Sequence, residues 1–172
     1  MKVILYMTIS ANGIIARENN EEDFLSHENW NTFVELAHKT GCMIWGKKTH
    51  EVVKTWGKEY QAEIKDVRKI VVSSDSNFEV GEGYERVATP EEAIQSLSEA
   101  RFKEVILSGG AKLNTSFAKT GLIDEVILNV DSVIVGKGIP LFSPDDFDLK
   151  LNLVTAKKIR ENIVQLHYKV EK

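Results

Sequence analysis

Apolar residues fall in short runs along the chain, with stretches of helical period between them. Residues 2–9 are almost wholly apolar, which predicts a central strand buried on both faces. A glycine-containing loop follows over residues 11–22. Ser26 is placed to cap a helix whose apolar positions Trp30, Phe33, Val34 and Ala37 recur at i, i+3, i+4 and i+7, with Gly41 just past its end. Residues 42–45 read as a short buried strand, 46–56 as a short helix behind a glycine turn, and the polar stretch 57–67 as loop. Residues 69–73 form another strand, closing in a Ser-Ser-Asp-Ser-Asn turn.

Thr89-Pro90-Glu91-Glu92 is a helix start in which Thr89 caps, Pro90 takes the first helical position and Glu92 completes a capping box. That helix runs to about Ala100. Residues 104–107 are a strand leading into Ser108-Gly109-Gly110, and a helix with Leu113, Phe117 and Ala118 follows, ending at Gly121. Residues 124–135 predict one long strand. In a C-terminal hairpin, Leu149, Leu151 and Leu153 alternate in one arm and Val164, Leu166, Tyr168 and Val170 in the other, about a turn at Arg160-Glu161-Asn162. Strand–helix units followed by an antiparallel tail predict an α/β fold, a mixed, mostly parallel sheet flanked by helices. With no repeat or Pro/Ser linker, residues 1–172 are expected to form a single domain.

Composition narrows the partners. The 22 Lys and Arg against 26 Asp and Glu give a formal charge of −4, which argues against nucleic acid but allows a small anion held by a few local lysines. The single cysteine, Cys42, excludes an internal disulfide and fits a reducing compartment. No stretch approaches the ~18 apolar residues of a bilayer span, and the N-terminal run is too short for a signal peptide. A cytoplasmic protein without a membrane partner is the expectation.

In an open α/β sheet, ligands bind beyond the carboxyl ends of the strands, where helix N-termini favour anions. Two strand-to-helix turns carry glycine there: Trp45-Gly46-Lys47-Lys48-Thr49 and Leu107-Ser108-Gly109-Gly110-Ala111. The first nearly spells the nucleoside-triphosphate loop G-x-x-x-x-G-K-S/T from Gly41. Its last position is Lys48, however, and its four middle residues are a buried strand rather than a phosphate-wrapping loop. What remains is a helix start with Lys47, Lys48 and Thr49 beside it; two solvated lysines are the plain alternative. Gly109-Gly110 lets backbone approach a ligand closely, or simply makes a tight turn. Ser73-Ser74 offers a further phosphate contact. His27, His38, His50 and His167 are scattered, so no metal site is expected, and there is no G-x-S-x-G nucleophile turn. Trp30, Phe33, Trp45 and Trp56 read mainly as core, with one or two at a pocket mouth.

These segments carry a resemblance. Thr8-Ile9-Ser10-Ala11-Asn12-Gly13-Ile14-Ile15-Ala16 resembles the S-x-D-G-x-I-A opening of the dihydrofolate reductase-like superfamily. The branch it is most similar to is the reductase domain at the C-terminus of bifunctional riboflavin-biosynthesis deaminase-reductases. Met43 to Glu51, Val71-Val72-Ser73-Ser74, and the series from Ser108-Gly109-Gly110-Ala111 through Gly121-Leu122-Ile123-Asp124-Glu125 to Gly136–Phe142 resemble that family's further motifs. The resemblance implies the dihydrofolate reductase-like three-layer fold and NADPH as cofactor. Gly46, Lys47, Lys48 and Thr49 match the turn for the adenosine-side phosphates, Ser73 and Ser74 the strand end near the 2′-phosphate. Gly109, Gly110, Ala111, Lys112 and Leu113 match the helix start under the pyrophosphate, and Thr8, Ile14 and Ile15 positions around the nicotinamide.

The departures concern the substrate. Asn12 stands where the riboflavin branch has Asp, Ser108 where it has Glu, and Val53-Lys54-Thr55 where it has Asp-Asp-Pro. Trp30 falls where dihydrofolate reductase has its acidic residue. Reduction of a C=N bond needs a proton as well as a hydride, and Glu28, His27 and Asp23 are the nearby candidates. The expected activity is NADPH-dependent reduction of a pterin- or pyrimidine-like heterocycle held by Asn12, Trp30, Phe33, Val34 and Ser108. A riboflavin-pathway reductase with substituted contacts, acting on 5-amino-6-(5-phosphoribosylamino)uracil, is one form of it. A non-catalytic NADPH-binding module is the alternative. Relatives of this fold form homodimers, and the apolar segment Ile139-Pro140-Leu141-Phe142 is available either to such a contact or to internal packing.

Overall fold

The N-terminal apolar run forms β1 (Lys2–Ser10), the strand around which the sheet is built. The computed structural model describes residues 1–172. After β1 come β2 (Ile14–Ala16), α1 (Glu28–Thr40), β3 (Cys42–Gly46), α2 (Lys47–Val53), α3 (Lys58–Glu63), β4 (Arg68–Val72) and β5 (Tyr84–Val87). The chain continues through α4 (Pro90–Glu99), β6 (Glu104–Leu107), α5 (Ala111–Lys119), β7 (Glu125–Asp131), β8 (Ile139–Pro140), β9 (Leu151–Arg160) and β10 (Ile163–Val170). Eight strands make one sheet in the order β5-β4-β3-β6-β1-β7-β10-β9. From β5 to β7 every pairing is parallel, and β10 then runs antiparallel to both β7 and β9. The short strands β2 and β8 form a separate antiparallel ribbon.

Strand side chains alternate between two cores. Val3, Leu5, Ile44, Ile70 and Leu107 face one side, under Leu97 of α4 and Leu113 and Phe117 of α5. Tyr6, Met43, Trp45, Val71 and Ile106 face the other, under Phe33 and Ala37 of α1, Val53 of α2 and Ile64. The result is three layers, helices on both faces of a mostly parallel sheet. Thr89 caps α4 as expected, its Oγ1 accepting the Glu92 N–H at 3.2 Å, while the Glu92 carboxylate accepts the Ala88 N–H at 2.7 Å.

Several elements differ from the sequence expectation. Residues 58–63 are helical, not loop; none of α3 is buried, so it shows no apolar period to read. Its C-terminal end is held by the buried Lys69, whose Nζ donates to the carbonyls of Ile64 and Val67, each at 2.8 Å. Edge strand β5 also escapes the pattern, since only Val87 of its four residues is buried. β7 ends at Asp131 rather than Val135, and α1 begins at Glu28 with His27 at its N-cap, Ser26 contributing one bond from the Glu28 N–H. Ile139 and Leu141 pack inward against Ile9, Ile15 and Ala111, so this segment is used internally. No helix is long and apolar enough to cross a membrane.

His50 of α2 is fully buried among Trp45, Phe78 and Tyr84, with Nε2 2.9 Å from the Val80 carbonyl and Nδ1 unpartnered. Burial pushes its pKa below the ordinary 6.5, so the unfolded chain takes up this proton before the folded one does. Stability carried by neutral His50 is therefore complete above pH 6.5 and is lost as pH falls below it. The urea midpoint should drop between pH 7.5 and 5.5, and His50→Gln, which keeps a donor for Val80, should flatten that drop.

Candidate active site

The turns leaving β3 and β6 become the N-termini of α2 and α5, and they touch through backbone alone. The Gly46 N–H donates to the Gly109 carbonyl at 2.8 Å. Gly109 has φ +78°, and a Cβ on it would stand 3.1 Å from Met7 Cε; one on Gly110 would stand 3.3 Å from Thr49 Oγ1. The peptide between these glycines is cis. The N-caps Gly46 and Gly110 offer no side-chain cap, which leaves first-turn N–H groups of both helices free for an anion.

A cavity of about 870 Å³ runs across these strand ends. Of the residues expected around a dinucleotide, Ile15, Gly46, Lys47, Lys48, Thr49, Ser73, Ser74, Gly110, Ala111, Lys112 and Leu113 line it. Gly109 stands off the wall, bonded to Gly46, and Ile14 pairs with Pro140 in the β2–β8 ribbon. Lys47 and Lys48 each have a carboxylate neighbour. Lys47 Nζ lies 2.9 Å from Asp75 Oδ2 and 4.6 Å from the centroid of Phe78, and Lys48 Nζ lies 3.6 Å from Glu51. The Asp75 bond holds the Lys47 pKa up, and Lys47 in turn holds Asp75 below the usual carboxylate range. Asp75 also lines the cavity, so a carboxylate shares the place expected for lysine and serine alone.

A second cavity, of about 410 Å³, is lined by Tyr6, Thr8, Trp30, Phe33, Trp45, Trp56, Tyr60 and Ser108 among others. Ile15, Glu22, Thr49, Val53, Trp56 and Gly110 line both cavities, which therefore meet at the Gly110 turn. Trp30, Trp56 and Tyr60 meet edge to face with centroids 5.3–5.8 Å apart. The indole N–H of Trp30 donates to Glu63, tying α1 to α3. Beneath the floor, Asn129 Nδ2 donates to Tyr6 Oη at 2.7 Å and to Thr32 Oγ1 at 3.1 Å, while its Oδ1 accepts from Gln165 at 3.0 Å. All four aromatics read mainly as core line this pocket, although Trp45 and Phe33 are also buried.

Other expected substrate and proton residues lie elsewhere. Asn12 fastens the first loop, its Oδ1 accepting the Val135 N–H at 3.1 Å and its Nδ2 donating to the Val135 carbonyl at 2.8 Å. Val34 packs against the core on the α1 side of the sheet. Glu28 is exposed and lines neither main cavity, and Asp23 is paired with Arg17. His27 does line the aromatic pocket, its Nδ1 3.3 Å from Tyr60 Oη.

Three functional candidates escaped the sequence reading. Glu22 is one residue from Asp23 yet alone among carboxylates on the aromatic pocket's wall. Desolvation within the cleft pushes its carboxyl up to about 7, even though the residue as a whole keeps an exposed flank. Asn29 is buried on the same wall, and its Oδ1 has no partner. Asp131 anchors both Asn29 and the helix start: its Oδ2 accepts from Asn29 Nδ2 at 2.6 Å and from the Ser26 N–H at 3.1 Å. Glu22 could have been found by asking which carboxylates the first loop brings beside the glycine turns. The Asp131 contact spans more than a hundred positions and leaves no local mark.

A mostly parallel sheet thus carries a long cleft over two uncapped helix N-termini, and that cleft opens into an aromatic pocket. The chain belongs to the RibD C-terminal domain family, whose profile matches residues 1–165. It is 31% identical over 175 residues to the uncharacterized protein YwjB of Bacillus subtilis, covering 97% of each. Its fold superposes with a TM-score of 0.82 and 22% identity on a Shewanella sp. PV-4 protein provisionally named for riboflavin biosynthesis, covering all of both chains. With a TM-score of 0.78 and 14% identity it also matches a pyrimidine reductase-like protein of Corynebacterium diphtheriae, over 99% of this chain and 92% of that one. The dihydrofolate reductase-like architecture expected from the sequence is the one present.

Asp131→Ala would leave the buried Asn29 amide and the Ser26 N–H just before α1 without their acceptor. It should lower unfolding free energy by about 2 kcal/mol in urea titration and shift the tryptophan emission that reports on Trp30. Asp131→Asn, which retains an acceptor oxygen, should recover part of both.

Proposed function

We propose that this protein is an NADPH-dependent reductase that delivers a hydride to a small planar heterocycle of pterin or pyrimidine type. The observation that carries this reading is the meeting of two unlike cavities at one glycine turn: a long cleft on two uncapped helix N-termini, and an aromatic pocket. The residues present suit the cofactor. A cradle at Gly110 that a Cβ would begin to fill admits a pyrophosphate to the α5 N-terminus, with Thr49 beside it and Lys112 on the wall without an ion pair. Ser73, Ser74 and Lys47 would take the adenosine end, and Thr8 and Ile15 the nicotinamide. When bound, a reduced nicotinamide supplies the hydride. The protein's part would be to hold that ring and the substrate together beside Thr8 and Ile15 and to keep water from between them.

Family membership supports a reductase, and the names of the structural neighbours point to aminopyrimidine chemistry of riboflavin synthesis as the first substrate class to try. The planar aromatic walls suit such rings, while Asn29 and Ser108 offer neutral polar contacts, Ser108 at the position where the riboflavin branch has Glu. The whole chain, residues 1–172, would act as one domain.

Two measurements test this reading. NADPH should bind more tightly than NADH, and Lys47→Ala combined with Lys48→Ala should shrink the difference. Asp75→Asn, which removes the carboxylate competing for Lys47, should widen it, by roughly tenfold for one lost charge contact. Equal affinity for the two dinucleotides would remove the role given to these residues. NADPH oxidation should accelerate with a member of a panel of dihydropterins and aminouracils; tight binding without oxidation across that panel would replace the reductase with a dinucleotide-binding module.

A further inference from the structure

Hydride addition to a C=N bond leaves an electron pair on nitrogen that has to take up a proton. The donor must reach the substrate's pocket beside the place where the hydride arrives, and must itself be refilled from solvent. Glu22 meets each condition by position. It is the only carboxylate lining the aromatic pocket, and it also lines the long cleft where the two cavities meet. Its outer flank lines a third, solvent-facing cavity of about 450 Å³ between the first loop and α2. Its side chain makes no hydrogen bond or ion pair, whereas Asp23 is committed to Arg17.

The charged and titratable groups around it come from its own loop and from four further elements. Glu21 and Asp23 flank it on its own loop. Lys48 and Glu51, 3.6 Å apart, face it from α2 across the outer cavity. His27 at the α1 N-cap and Tyr60 of α3, bonded to each other, lie on the aromatic side. Tyr6 of β1 closes the floor with its hydroxyl already engaged by Asn129 and Thr32.

Resting on the reductase reading, we propose that Glu22 is the general acid of this site. The hydride from the reduced nicotinamide, with its electron pair, forms the new C–H bond, and the C=N π pair moves onto nitrogen. The Glu22 O–H bond breaks, its proton forms the N–H bond, and the carboxylate left behind is reprotonated by water from the outer cavity. Although Glu22 is exposed on its outer flank, desolvation on the cleft side raises its carboxyl to about 7, which favours the protonated acid near neutrality.

The test uses the intact chain with Glu22→Gln, which keeps shape and polarity but has no acidic proton, and Glu22→Asp, which keeps the acid. In the ligand-free protein, infrared difference spectra should show a protonated-carboxyl band in wild type that disappears with a midpoint near 7 and is absent from Glu22→Gln. NADPH affinity, read by tryptophan quenching, should stay within about twofold of wild type in both variants. Single-turnover NADPH oxidation, with the panel heterocycle that wild type accepts, should fall about a hundredfold or more in Glu22→Gln. It should recover in part in Glu22→Asp. The wild-type rate should decline as pH rises through 7, and that decline should vanish in Glu22→Gln. A Glu22→Gln enzyme with wild-type rate and pH profile, or no carboxyl titrating above pH 6, overturns the proposal while leaving the reductase intact. Wild-type protein that binds NADPH and reduces nothing overturns the reductase reading, and the acid with it.

Discussion

Everything at this site depends on two turns of backbone lying against each other without side chains between them. The bond from Gly46 N–H to the Gly109 carbonyl joins the carboxyl ends of β3 and β6, and a larger residue at Gly109 would press on Met7. Because those turns touch, the N-termini of α2 and α5 stand side by side, and their unsatisfied N–H groups add to one another. The long cleft follows from this juxtaposition. So does the position of the aromatic pocket, which begins where the same turn ends.

The parts that were legible in the amino-acid pattern are those whose physics is local. A continuous apolar run predicts a strand buried on both faces, and β1 is that strand. Thr89, Pro90 and Glu92 spell a helix start within four residues, and the bonds at α4 are nearly the expected ones. Glycine after a buried strand marks a turn at the strand's carboxyl end, and both such turns lie on the cleft. What escaped is held together over distance or carries no periodicity. Helix α3 buries nothing, so its six polar residues read as loop. Asn12, expected at the substrate, ties a loop to Val135, a use of the amide that only the fold discloses. Lys47 and Lys48 read as bare charges because the carboxylates that meet them belong to another strand end and to the next helical turn.

That pairing changes how the cleft is regarded electrostatically. A formal charge of −4 with a local basic pair suggested an anion trap. The folded cleft is closer to balanced, with Lys47 and Lys48 opposed by Asp75 and Glu51, and the phosphate binding proposed for it would rest more on oriented N–H groups than on net charge. Oriented dipoles of this kind are weakly screened when enclosed, whereas exposed ion pairs weaken in salt.

The anchoring of α1 by Asp131 has an evolutionary side. The helix that carries Trp30 and Phe33 is tied to β7 by Asp131 and Asn129 and to α3 by the Trp30 indole and the His38 ring, and none of these contacts passes through the glycine turns. On the reading proposed above, an aromatic on the substrate wall can be exchanged for another without disturbing the turns that would hold the cofactor. A lineage of such reductases would then change its substrate one aromatic residue at a time, without relearning how to hold its reductant.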